Sequence, residues 1–180
     1  QTCVAIKTNG TLWTWGSNAQ GTIGAGDNIH RSSPTQIGAL TNWSKINGSN
    51  STGTAAIKTD GTLWTWGYNN NGQLGTNDIV SRSSPTQIGA ATDWNLLCCN
   101  YYENGAIKTN GTLWIWGKND NGQLGQNDTA NRSSPVQIGA LTNWAKIFAG
   151  DGVAIAAKTD GTLWSWGVNT FGQLGQNDAG

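Results

Sequence analysis

The chain has 180 residues, no net formal charge, and 11% charged residues, against about a quarter in ordinary soluble domains. With 11 Trp and 26 Gly, such a composition excludes a charged disordered segment and a basic footprint for DNA or RNA. No run of 18 apolar residues occurs, so no helix is expected to span a membrane. The three cysteines, Cys3, Cys98 and Cys99, form no disulfide framework, and with a single histidine neither a metal site nor a cofactor is expected. Gln1 and the absence of Met point to a processed product, an excised segment or the ordered part of something longer.

From the N-terminus, AIKTNG (5–10) leads into TLWTWG (11–16), GTIG (21–24), RSSPTQIG (31–38) and TNW (41–43). The same order returns with AIKTDG at 56–61 and again with AIKTNG at 106–111. It opens a fourth time with AAKTDG at 156–161. The first Trp of each pair falls at 13, 64, 114 and 164, spacings of 51, 50 and 50. Such self-similarity marks a tandem array whose units bury their core only against neighbours. Units are expected at approximately 1–46, 47–97, 98–147 and 148–180, the last incomplete.

Within a unit, Asn9-Gly10, Asp60-Gly61, Asn110-Gly111 and Asp160-Gly161 predict tight hairpins, with both turn residues at positive φ. Further strands are predicted around PTQIG (85–89) and DWNLL (93–97). Pro34, Pro85 and Pro135 belong at a strand start or on an edge. No segment has a helical period, and four short strands fill about 50 residues, the size of one propeller blade. Along Leu63-Trp64-Thr65-Trp66 the two indoles share one face. All eleven Trp occupy repeat positions: Trp13, Trp15, Trp43, Trp64, Trp66, Trp94, Trp114, Trp116, Trp144, Trp164 and Trp166. They are expected in the blade core, where each buries roughly 200 Å². Cys98 and Cys99 should point to opposite faces of one strand. Asp27 and Arg31, Asp78 and Arg82, and Asp128 and Arg132 predict a repeated brace across one loop, and Asp178 opens a fourth.

GTLWTWGYNNNGQLGTND, followed by SSPTQIG and a Trp, resembles the repeat of the regulator of chromosome condensation family over the whole chain. That resemblance implies an all-β propeller of four-stranded antiparallel blades. About three and a half blades are present, as a partial ring or a fragment of a seven-bladed one. Where the family carries His, three residues before the Ala of Ala-Ile, this chain has Thr2, Gly53, Glu103 and Val153. The family's guanine nucleotide exchange activity uses surface residues that the repeat motifs do not encode.

Function is expected where the copies differ. Those segments are Asn47–Thr54, Cys98–Gly105 and Phe148–Ile155, and, after the Trp strand, Ser17–Gln20, Tyr68–Asn71, Lys118–Asn121 and Val168–Phe171. Loops on a rigid scaffold are natural recognition elements. Tyr101, Tyr102 and Glu103 form the most distinctive cluster, with Tyr68 and Phe171 as further partner-binding candidates. No catalytic constellation recurs. The leading expectation is a non-catalytic structural or protein-interaction module that binds a protein or further copies of itself, in an extracellular, cell-surface or virion setting. A carbohydrate-binding propeller lectin and a guanine nucleotide exchange factor for a small GTPase are the alternatives.

Overall fold

A computed structural model describes residues 1–48, 52–150 and 152–177. Residues 49–51, Asp151 and Asp178 lie outside the described residues. Fourteen strands make four antiparallel sheets, and no helix occurs among the described residues. The first sheet holds β1 (Thr2–Ile6), β2 (Leu12–Gly16) and β3 (Arg31–Gln36). The second has β4 (Trp43–Gly48), β5 (Gly53–Lys58), β6 (Leu63–Gly67) and β7 (Arg82–Gln87) in sequential order. The third repeats it with β8 (Trp94–Cys99), β9 (Glu103–Lys108), β10 (Leu113–Gly117) and β11 (Arg132–Gln137). The fourth has β12 (Trp144–Gly150), β13 (Val153–Lys158) and β14 (Leu163–Gly167). These are two whole blades flanked by two three-stranded ones, about three and a half blades of a partial propeller. The full sheets begin at Trp43 and Trp94, ahead of the expected unit starts at 47 and 98, because the Trp strand pairs with the strand that follows it.

Strands β4, β8 and β12 pack against one another from sheet to sheet, so blades converge along this edge. The Lys45 ammonium donates to the Asn95 carbonyl across it, at 2.6 Å. The Pro strands β3, β7 and β11 form the outer edge, where a missing N–H costs no ladder bond. Each begins at its Arg, earlier than expected, so Pro85 lies inside β7 rather than at its start. Pairing runs Thr65↔Thr86 and then Gly67↔Arg82, so Pro85 sits in a bulge on the edge strand.

The hairpins fall where Asn-Gly and Asp-Gly place them, with different turn chemistry. Gly61 has φ 77°, whereas Asp60 is not in the positive-φ region. The Asp60 carboxylate accepts the Thr62 amide and hydroxyl, at 3.0 and 2.7 Å. Gly61 N–H donates to the Lys58 carbonyl, and Lys58 N–H to Thr62. This four-residue turn needs one left-handed residue, and its glycine supplies it.

The core lies between sheets. Leu12, Ile23 and Ile37 of the first blade meet Trp43, Ala56 and Trp66 of the second. Ala55, Ile57, Leu63 and Ile88 meet Trp94, Ala106 and Trp116. Ile107 and Leu113 meet Trp144, Ile147 and Ala156. Every blade thus presents indoles backward and aliphatic groups forward. Trp66 and Trp116 are fully buried, and Trp43, Trp94 and Trp144 nearly so. Trp43 sits edge-on to Trp64 and Trp66, with ring centroids 6.0 and 6.2 Å apart, a favoured aromatic geometry. Trp13, Trp15, Trp64, Trp114 and Trp166 are half-buried. Trp164 departs from the expected burial, at 49% exposed, because no outer strand flanks β14 among the described residues. Cys98 and Cys99 do face opposite ways, Cys98 toward the fourth blade and Cys99 toward the second.

Candidate functional site

The N-terminal ends of β5, β9 and β13 and the C-terminal ends of β6, β10 and β14 lie together at one end of the arc. The chain crosses there identically in each blade. The amides of Ser17, Tyr68, Lys118 and Val168 donate to the carbonyls of Gln1, Thr52, Tyr102 and Gly152. The variable segments therefore ride on a fixed backbone.

A buried asparagine locks the loop that follows each of the first three Trp strands. Asn69 is fully buried. Its Oδ1 accepts the Leu74 amide at 2.8 Å, and its Nδ2 donates to the carbonyls of Asp78 and Val80 and to the Asp78 carboxylate. Asn18 and Asn119 repeat the pattern. The aspartate so held pairs with arginine, Asp27 with Arg31 at 2.7 Å and Asp78 with Arg82 at 2.6 Å. Asp128 and Arg132 pair in the same way. The hydrogen bond from arginine, followed by that from a backbone amide, holds the Asp27 and Asp128 carboxyls below their ordinary range. His30 serves the same frame, its Nδ1 accepting the Asn18 amide where Ser81 and Asn131 oxygens serve the next two blades.

On this frame Tyr101 and Tyr102 form an edge-on pair, centroids 4.7 Å apart. Tyr101 is exposed and Tyr102 half-buried. The Lys118 ammonium lies 5.1 Å from the Tyr102 ring centroid and 3.1 Å from the Asp120 carboxylate. Thr52 ties the neighbouring blade in, its hydroxyl donating to the Tyr101 carbonyl at 2.7 Å. Tyr68 follows on the same end, half-buried, through its own bond to Thr52. Glu103 is a different kind of residue from the tyrosines beside it, 1% exposed. Its carboxylate accepts from Asn100 Nδ2 and the Gly152 amide. It thus braces a loop from within, at the position where the family carries His. Phe171 is 90% exposed and stands apart on the fourth blade. Its amide donates to Gln173 Oε1, as Asn71 and Asn121 do to Gln73 and Gln123.

A second recurring feature lies toward the opposite end, between blades. The lysine of each Ala-Ile-Lys or Ala-Ala-Lys strand covers the first indole of the following strand. Lys7 stands 3.5 Å from the Trp13 centroid, Lys58 3.6 Å from Trp64 and Lys158 3.9 Å from Trp164. Lys108 spans Trp94 and Trp114 and pairs with Asp93 at 3.0 Å. Desolvation lowers the Lys58 pKa, opposed by Asp60, and two indole faces support the charge. Clefts of about 490 and 360 Å³ open beside these lysines, the larger lined by Arg31, Leu40, Trp43, Lys58, Trp64 and Pro85 among others. Each indole offers a stacking ligand a face already covered by an ammonium group.

Burial pushes the Cys98 thiol up, and its Sγ accepts the Ala149 amide, so this thiol is a packing group. Among the described residues no cluster of three or more His, Cys, Asp or Glu could hold a metal ion. Among the same residues no helix is long and apolar enough to cross a membrane.

The sequence profile described as "Regulator of chromosome condensation (RCC1) repeat" matches residues 9–55, 60–95 and 110–157, most of the chain. A second profile of that repeat matches 144–173. Among relatives, the "RCC1 domain-containing protein RUG3, mitochondrial" of Arabidopsis thaliana is 30% identical over 50% of this chain and 20% of its own length. The "Ultraviolet-B receptor UVR8" of the same plant is 32% identical over 48% of this chain and 20% of its own. The matches thus span about a fifth of these relatives. Among solved structures, human WBSCR16 superimposes with a TM-score of 0.82 at 17% identity, over 93% of this chain and 45% of that one. Yeast RCC1 (Prp20), solved bound to Kap60, superimposes at 0.81 and 17%, over 93% and 42%. A further structure of Prp20p from Saccharomyces cerevisiae, whose description names binding to Gsp1p and histones, gives 0.77 at 23% identity, over 97% and 44%. At such identities the superpositions establish the fold.

Proposed function

The chain belongs to the regulator of chromosome condensation repeat family, and from that premise we propose that it is a non-catalytic protein-interaction module. Its recognition surface is the loop end of the arc, centred on Tyr101 and Tyr102. The observation that carries this reading is the Tyr101–Tyr102 edge pair. It sits where the repeats differ in sequence, on a backbone fixed by the same crossing bond in every blade. Tyrosine joins a large apolar contact to a polar tip at low entropic cost, which suits a protein anchor. Lys118 and Asp120 beside it supply a polar rim.

Yeast relatives of this fold are described with protein partners: Kap60, Gsp1p and histones. These are the first probes for this chain, with purified protein immobilised and each probe titrated by surface plasmon resonance. The double variant Tyr101→Ala/Tyr102→Ala is expected to weaken a bound partner about tenfold or more, equivalent to about 1.4 kcal/mol, while its melting temperature stays near that of the parent. Binding to none of the three, or equal binding by parent and double variant, contradicts the reading.

A further inference from the structure

We infer that the cleft between the first and second blades binds a small organic acid, its carboxylate on the Lys58 ammonium and its apolar body against Leu40 and Pro85. This site is distinct from the tyrosine loop and independent of it. The cleft has a volume of about 490 Å³, within the range of about 300–1,000 Å³ usual for small-molecule sites. Arg31 and Leu40 reach it from the first blade and the loop that leaves it, and Trp43, Lys58, Trp64 and Pro85 from the second. Lys58 is 7% exposed. Among the described residues its ammonium has no carboxylate within ion-pair distance and no hydrogen-bond acceptor. The nearby Asp60 carboxylate is engaged by the Thr62 amide and hydroxyl. The close support of the ammonium is two indoles, with centroids at 3.6 Å for Trp64 and 4.9 Å for Trp43. Desolvation opposes its charge, and an arriving anion relieves that cost.

The next cleft, between the second and third blades, shows what such an anion does. It is built from equivalent residues, with Trp94, Lys108, Trp114 and Pro135 in the places of Trp43, Lys58, Trp64 and Pro85. There the chain supplies its own carboxylate, and Asp93 Oδ1 lies 3.0 Å from Lys108 Nζ. The repeat position of Asp93 is Asn42 in the first cleft, a neutral amide. One lysine thus has a counter-ion within the fold, and its counterpart, in an otherwise matching setting, has none. The first cleft is also the larger, about 490 against about 360 Å³. It carries Leu40, 48% exposed, where the second carries Ala91. Its other cation, Arg31, is already paired with Asp27, so Lys58 is the charge that an acid neutralises. The ammonium covers the indole face, so the apolar part of the ligand meets Leu40 and Pro85 and does not stack on Trp64.

Phenylacetate, a carboxylate on a flat apolar group, is the probe. It is titrated into the 180-residue chain, and binding is read on the indole N–H signals of Trp43 and Trp64 by proton–nitrogen correlation NMR. A saturable shift with a dissociation constant of about 1 mM is expected. Phenylacetamide keeps the shape without the charge, and acetate keeps the charge without the body. Each should bind about tenfold more weakly or worse. Asn42→Asp gives the first cleft the carboxylate of the second, and Lys58→Met keeps the stem on the indoles and removes the charge. Either variant should weaken phenylacetate about tenfold or more, with an unchanged far-UV spectrum. The amide and acetate comparisons use the parent chain and stand even if a variant misfolds. No saturable shift at the two indoles of the parent overturns the proposal. So does equal binding of phenylacetamide or acetate, or parent-like binding by either folded variant. Tighter binding of acetyl-Gly-Glu-Gly-amide than of phenylacetate also overturns it, by assigning the cleft to an acidic side chain of a protein.

Discussion

Trp15 and Trp66 sit in identical hexapeptides on equivalent strands, so local propensity cancels between them and only the neighbouring blade differs. Trp66 is fully buried. It donates to the Thr22 carbonyl at 2.9 Å and stands edge-on to Trp43. Removing roughly 200 Å² of buried ring at about 25 cal/mol/Å² forfeits up to about 5 kcal/mol. Loss of the hydrogen bond adds about 1 kcal/mol, and relaxation of the site returns part of the sum. Trp66→Ala is therefore expected to cost about 4 kcal/mol, within the usual range for deleting a buried aromatic. Trp15 is half-buried and has no acceptor among the described residues, so Trp15→Ala in this chain should cost about 1–2 kcal/mol by the same area rule. Urea unfolding followed by far-UV circular dichroism, at a concentration where the chain is monomeric, gives both numbers. Midpoint and slope are compared together, because repeat arrays can unfold in parts. Equal losses at the two sites would refute the reasoning, since stability would then reside within blades rather than between them.

Three more outcomes follow from the same geometry. Asn69→Ala strips partners from the Leu74 amide and the Asp78 carbonyl, while the Val80 carbonyl keeps its Arg82 donor, and should cost about 2–3 kcal/mol in the same urea assay, at about 1–3 kcal/mol per orphaned buried group; a loss under about 1 kcal/mol would mean that the loop holds without its lock. Gly75→Ala and Gly175→Ala share the left-handed backbone cost of about 1 kcal/mol, yet only the first drives a methyl into an indole. Gly75→Ala should thus melt well below Gly175→Ala, and equal melting temperatures would contradict the seat geometry. The Arg31 and Arg132 hydrogen bonds, followed by a backbone amide, hold the Asp27 and Asp128 carboxyls below the ordinary carboxylate range, so their stabilisation is present above the unfolded-state value and is lost as pH falls through the folded one. Melting temperature should hold from neutral pH to about 4 and fall below it, and Arg31→Ala/Arg132→Ala should flatten that fall; an unchanged acid profile in the double variant would remove the arginines from the account.

The repeat spacing made the strands, the hairpins and the facing of the Trp pair legible, because alternation along Leu63-Trp64-Thr65-Trp66 is a local property. The features that escaped depend on what a residue meets elsewhere. Asp60 looked able to take positive φ, but its carboxylate binds Thr62 instead and leaves that conformation to Gly61. Pro85 was expected at a strand start or on an edge, and it lies on the edge strand; the bulge that seats it there depends on the partner strand. Asn69 was visible in its motif, yet its role as a lock rests on a loop that returns nine residues later. The lysine of each Ala-Ile-Lys run was equally plain, and only the hairpin fold brings it over the next indole. Trp164 shares its motif with Trp64, and among the described residues an outer strand flanks Trp64 and not Trp164. Sequence variation singles out the Tyr101–Tyr102 loop, the surface proposed here for interaction. It could not separate the exposed Tyr101 and half-buried Tyr102 from Glu103, which points inward to the Gly152 amide.

Hydrogen exchange at the indole N–H groups, resolved by NMR on the monomeric chain, tests the blade-to-blade seat most directly. The account predicts strong protection at Trp66 and Trp116, whose N–H groups are buried against the preceding blade, and faster exchange at the half-buried Trp15 of this chain. Protection of Trp15 equal to that of Trp66 in the monomer, or free exchange at Trp66, would contradict it.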